Sequence, residues 1–156
     1  MNINHIEPFI EATVGVFREL FGLEPEYLNP YLVQKDDRNE WDISGIIGIG
    51  GDSKGVVVVS LSGQLAAALT AKLVGGPVQL DDPDIVDAVG EIVNIIAGNA
   101  KKGLEQYRLE ISLPTIVKGP DHRIAWQQNV PIIGIPFKIP MGRFHLSIGL
   151  ENIITG

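Results

Sequence analysis

Seven residues between positions 84 and 105 stand out by type and spacing: Asp84, Asp87, Glu91, Asn94, Gly98, Lys101 and Glu105. On a helix, at about 100° per residue, all of them project within about a third of a turn and form one polar ridge. Glu91 and Asn94 stand at i and i+3, so their Cβ atoms lie about 5–6 Å apart and both side chains can reach one external object. The carboxylate offers an ion-pair acceptor, and the carboxamide both donates and accepts hydrogen bonds. That pair suits docking and positioning rather than ordinary general acid–base work. Gly98, one turn beyond Asn94, removes bulk from the same line at a cost of about 1 kcal/mol relative to alanine, which close approach by another molecule would explain. A plain solvated ridge is the competing reading, because acids near a helix N-terminus and lysines near its C-terminus complement the helix dipole.

Other chemistries fit the chain less well. Asp84, Asp87 and Glu91 share a helix face, but three carboxylates from one straight helix cannot surround a divalent ion, and the sequence offers no second acidic cluster to complete the shell. No metal site is expected. His5, His122 and His145 fall in separate elements and read as capping, loop or core residues. Ser62, Ser112 and Ser147 lack a nucleophile-elbow context. Gly50 to Gly55 superficially suggests a phosphate loop, yet Gly55 is followed by Val56 and a β-like run instead of a helix, so the segment reads as a hairpin loop. The chain contains no cysteine, which removes thiol nucleophiles, thiolate metal sites and redox couples.

The ridge needs a helix, and the pattern supplies one. Asp82 and Pro83 have the chemistry of an N-cap and first-turn pair for a helix running to about Tyr107, the longest in the chain. Its apolar stripe includes Ile85, Val89, Ile92, Val93, Ile96 and Ala100. An earlier amphipathic helix carries Ile6, Phe9, Ile10, Val14, Phe17 and Phe21, with Asn4 as its expected N-cap, Pro8 in its first turn and Gly22 ending it. A second helix starts at Ser62 and stops at Gly75-Gly76-Pro77. Residues Leu23 to Trp41 read as an extended segment followed by an exposed charged loop at Lys35–Glu40. Strands are expected over Ile43–Ile49, Val56–Leu61, Leu109–Val117, Val130–Ile139 and Phe144–Leu150. Ile-Ile-Gly-Ile opens both hairpins, at 46–49 and again at 132–135. The order of elements predicts an α+β fold with helices on one face of a mostly antiparallel sheet.

Length and composition agree with that plan. At 156 residues, 45% hydrophobic and 20% charged, the whole chain 1–156 reads as a single globular domain. Twelve basic against 19 acidic residues give a net charge of −7, which argues against nucleic acid and anionic membrane surfaces as partners. The segment Met1–Pro8 lacks the basic start and apolar run of a secretory signal, and Ser60, Ser62 and Gln64 interrupt the most apolar stretch. No membrane insertion is expected, and the expected location is the cytoplasm.

The residues also resemble a family. Asp87-x-x-x-Glu91-x-x-Asn94 within a long helix, followed by Pro114 in the next strand, is similar to the phosphatase signature of the CheC/CheX/FliY group. These enzymes dephosphorylate the chemotaxis response regulator CheY in two-component signalling. The opening helix Ile6–Ala12, the segment Gly90–Lys101 and Leu113-Pro114-Thr115 make the whole chain resemble the CheX branch. The resemblance implies a CheC-like fold, a hydrolase acting on phospho-aspartate, and a homodimer built by sheet extension. It assigns Asn94 to hold an attacking water and Glu91 to pair with the regulator's lysine. Asp87, Gly98 and Lys101 would support docking, and Pro114 would be structural. The protein would carry no cofactor of its own, the Mg²⁺ belonging to the partner. A non-catalytic module binding a receiver domain through the same ridge is the alternative. The long apolar strands Val130–Ile139 and Phe144–Leu150 would leave a risky exposed edge in a monomer.

Overall fold

The computed structural model describes residues 3–34, 40–120, 122–126 and 130–154. The first helix, α1 (Ile3–Phe21), buries Ile6, Phe9, Ile10, Phe17 and Phe21, as its periodicity predicts. Gly22 ends it at φ 66°, donating its N–H to the Arg18 carbonyl at 3.0 Å. Its start differs from expectation. The helix already includes Ile3, so Asn4 lies inside it and Pro8 falls in its second turn. Pro8 lies close against Gly103 at the end of α3, where an added Cβ would stand only 2.9 Å from the Pro8 Cβ.

Two short strands follow, β1 (Glu26–Tyr27) and β2 (Tyr31–Leu32), where only an extended segment was expected. Of the expected loop at Lys35–Glu40, residues 35–39 lie outside the described residues. Next come β3 (Ile43–Gly51) and β4 (Gly55–Leu61), joined by a tight turn. The second helix, α2 (Gly63–Val74), is capped as its sequence predicts. Ser62 accepts a hydrogen bond from the Leu65 N–H at its N-terminus, and Gly75 takes the left-handed conformation at its C-terminus. The long helix α3 (Pro83–Lys102) has Asp82 as N-cap, its Oδ1 accepting from the Asp84 N–H at 2.9 Å. It stops at Gly103 rather than near Tyr107, and tight turns follow.

The expected strand Leu109–Val117 is divided into β5 (Leu109–Ile111) and β6 (Thr115–Lys118), both antiparallel to β3. Ile49 faces Ile111 while Ile46 faces Thr115, so residues 112–114 stand opposite only Ile47 and Gly48. The extra residue is a β-bulge, a site where proline's missing donor does no harm. A final hairpin comprises β7 (Ile133–Ile139) and β8 (Gly142–Leu150), turned at Pro140 and Met141.

All strand pairs are antiparallel, in the order β1-β7-β8-β4-β3-β5, with β2 also on β7 and β6 also on β3. The three helices cover one face. Phe17 of α1 stacks on Phe144 with ring centroids 4.4 Å apart, Leu65 of α2 lies over Gly142, and α3 lies over Gly45. The apolar core sits between these layers, with Ile47, Val57, Val59, Phe144 and Leu146 contributed by the sheet and Val89, Ile92 and Ile96 by α3. The risky edge expected at Val130–Leu150 does not arise. β8 lies inside the sheet, and the outer side of β7 pairs with β1 and β2.

Candidate functional site

One close approach and one ordinary contact locate α3 on the sheet. At Gly45 on β3, an added Cβ would stand 3.0 Å from Val93 Cγ1 and 3.1 Å from Val89 Cγ1, so the helix rests on the sheet where a side chain is missing. At Gly90, a Cβ would lie 3.6 Å from Pro114 Cγ and 3.7 Å from Ile116 Cδ1, so the bulge between β5 and β6 abuts the flank of the helix. With Val89, Ile92, Val93 and Ile96 buried, the opposite side of α3 must face outward.

That side carries the expected ridge. Asp84, Asp87, Glu91, Asn94 and Lys101 are all exposed on α3, and Gly98 has open space where its Cβ would be. Glu105 departs from the expectation, because it lies in the turns after Gly103 and no longer continues the helical line. Among the described residues, no three His, Cys, Asp or Glu side chains gather as a metal centre would require.

The remaining candidates for chemistry fall elsewhere. His122 meets Ser44 at 2.7 Å through Nε2 and the Gly119 carbonyl at 2.9 Å through Nδ1, and Ser44 meets Ser60 at 2.7 Å. His145 meets the Tyr31 hydroxyl at 2.7 Å through its Nε2. Ser44, Ser60, His145 and Ser147 lie on the sheet face opposite the helices, away from α3.

Ser112, without the context of a nucleophile, fixes the bulge. Its N–H donates to the Gly48 carbonyl at 2.9 Å, its Oγ accepts from the Gly48 N–H at 2.9 Å, and its hydroxyl donates to the Leu113 carbonyl at 2.9 Å. The available signal was Pro114 inside an otherwise apolar strand pattern, together with Gly90 inside a helix. Neither residue points to the other from spacing alone.

Fold and site together define an antiparallel-sheet protein of the CheC-like class, with a polar helix ridge turned to solvent. The chain is similar to a CheC-like superfamily protein from Shewanella sp. PV-4 at a TM-score of 0.88 and 28% identity, covering 97% of this chain and 100% of that one. The family model for the chemotaxis phosphatase CheX matches residues 43–138, and the chain belongs to that family. It is 27% identical to the CheY-P phosphatase CheX of Thermotoga maritima, over 95% of this chain and 97% of the relative. It also resembles the CheX of the CheX–CheY–BeF3–Mg²⁺ complex from Borrelia burgdorferi, with a TM-score of 0.79 and 25% identity, covering 96% of this chain and 99% of that one.

Proposed function

We propose that the protein is a response-regulator phosphatase that hydrolyses the aspartyl phosphate of a CheY-like regulator. The observation that carries this reading is the joint exposure of Glu91 and Asn94, one turn apart on a helix seated closely on the sheet at Gly45, in a chain of the CheX family. The name of the Thermotoga relative and the Borrelia complex with CheY support the choice of substrate.

In this reading α3 docks beside the regulator's phosphorylated aspartate. The Asn94 carboxamide oxygen accepts a hydrogen bond from a water molecule and holds it in line with the phosphorus, while the amide N–H donates to a neighbouring oxygen. Water attacks, a P–O bond forms, and the bond to the aspartate oxygen breaks. The products are the free carboxylate and inorganic phosphate, and the proton leaves with the phosphate or solvent. The work is positioning, which matches a site without a strong base. Glu91 pairs with the regulator's lysine, Asp87 and Lys101 border the docking surface, and Gly98 lets the partner approach closely. The catalytic Mg²⁺ belongs to the regulator. The reading places the protein in the cytoplasm with its substrate. Among the described residues, no helix is long and apolar enough to cross a membrane.

A homodimer belongs to the same proposal, paired through the β6 edge. Among the described residues, no strand pairs with the outer side of β6, where Thr115–Lys118 could accept a second copy.

The test follows phosphate release from a phosphorylated receiver domain with and without the protein. The reading predicts faster release with it. Unchanged decay in the presence of demonstrable binding would reduce the protein to a non-catalytic receiver-binding module.

A further inference from the structure

Leu113 is 86% exposed, the most exposed large apolar side chain among the described residues, and the backbone beside it is hydrogen-bonded in place. It is the middle residue of the bulge between β5 and β6. On one side, Ser112 locks the backbone through its three hydrogen bonds with Gly48 and the Leu113 carbonyl. On the other, Pro114 has a fixed φ and its ring lies beside Gly90 of α3, 3.6 Å from where a Cβ at Gly90 would stand. An isolated exposed leucine on a mobile loop would need no explanation. Here the fold inserts one extra residue and anchors both neighbours, as bulges do when they re-aim a side chain beside a functional site.

The position is also specific. Gly90 precedes Asn94 by four residues, about 6 Å along the helix and about 40° around it. Pro114 therefore marks the Asn94 flank of the ridge, and Leu113 is the next residue along the rim. From the hydrogen-bonded bulge, the exposure and this placement, we infer that Leu113 is an apolar docking residue for the phosphorylated receiver, complementing the polar contacts of α3. The inference rests on the phosphatase reading and names the surface its partner must offer: an apolar depression beside the acidic phosphoacceptor pocket. Because the backbone at 112–114 is already ordered, burying this side chain costs little conformational entropy, the condition under which one residue contributes strongly to binding.

Steady-state kinetics on a phosphorylated CheY-type receiver test it, paired with titration of the same receiver carrying beryllofluoride in place of the phosphoryl group. Leu113→Ala raises KM and weakens the titrated affinity about tenfold, with kcat held within about twofold. Leu113→Met restores most of both, and Leu32→Ala on the opposite sheet edge leaves both unchanged. The melting temperature of Leu113→Ala matches wild type, since little of this side chain is buried. Unchanged KM and affinity in Leu113→Ala, with an active wild type, overturn the inference and leave the phosphatase reading standing. If wild type binds the receiver without accelerating phosphate loss, the phosphatase reading fails and the affinity ratio alone decides the role of Leu113. If wild type does not bind at all, both fall.

Discussion

At Gly98 the demands of the helix and of the partner pull in opposite directions. A glycine within α3 costs about 1 kcal/mol relative to alanine, and the space beside it is empty. Gly98→Ala should therefore raise unfolding free energy by about 0.5–1 kcal/mol in urea titrations. Gly98→Leu, equally tolerated by the isolated fold, should weaken binding of a phosphorylated receiver about tenfold or more if the ridge docks as proposed, because its bulk would stand on that ridge. Equal receiver affinity for all three proteins would remove Gly98 from the interface. The ridge itself was legible in the sequence because helical periodicity places polar residues as reliably as apolar ones. Leu113 was not legible as a contributor. Within an apolar strand pattern it looks like core, and only the register of β5 and β6 against β3 shows that it projects from a bulge.

Among the elements, α3 depends on what the sheet omits. Gly45 lets Val89 and Val93 descend onto β3, so any added carbon meets them at about 3.0 Å or forces the helix outward. Gly45→Ala is expected to destabilise the fold by about 1–3 kcal/mol, measured by chemical denaturation, and to lower phosphatase activity through displacement of the ridge. Full stability and activity in that variant would show that the helix is positioned elsewhere. The caps at Asp82, Ser62 and Gly75 were readable because local chemistry decides them. The start of α1 and the end of α3 were not, since contacts distant in sequence decide those. Pro8 against Gly103 is one such contact: each residue alone signals an interruption, and together they form a helix–helix junction.

For the whole molecule, the repeated Ile-Ile-Gly-Ile proves to have a common structural use. Ile47 and Ile49 face the helices from β3 as Ile133 and Ile135 do from β7, with Gly48 and Gly134 on the opposite face. The two hairpins join through β4 and β8 at the sheet centre. Alternation revealed the strands and their faces, whereas strand order depends on pairings across more than eighty residues that no local pattern encodes. This is why the exposed edge was expected on the wrong side. A β6-mediated homodimer predicts that Lys118→Pro, which removes an N–H donor from the outer side of β6, shifts sedimentation from dimer toward monomer. A wild-type protein that sediments as a monomer at micromolar concentration contradicts the dimer. The acidic excess also acquires a location, since Asp81, Asp82, Asp84, Asp87 and Glu91 place five of the 19 acids in eleven residues leading into the site. The central claim is that α3 brings Asn94 to the phosphoryl group, and its most direct test is phosphate release by Asn94→Ala with receiver binding measured in parallel. The account predicts retained binding with release slowed about 10²-fold, as when one transition-state hydrogen-bonding group is removed. Release by Asn94→Ala as fast as by wild type would contradict it.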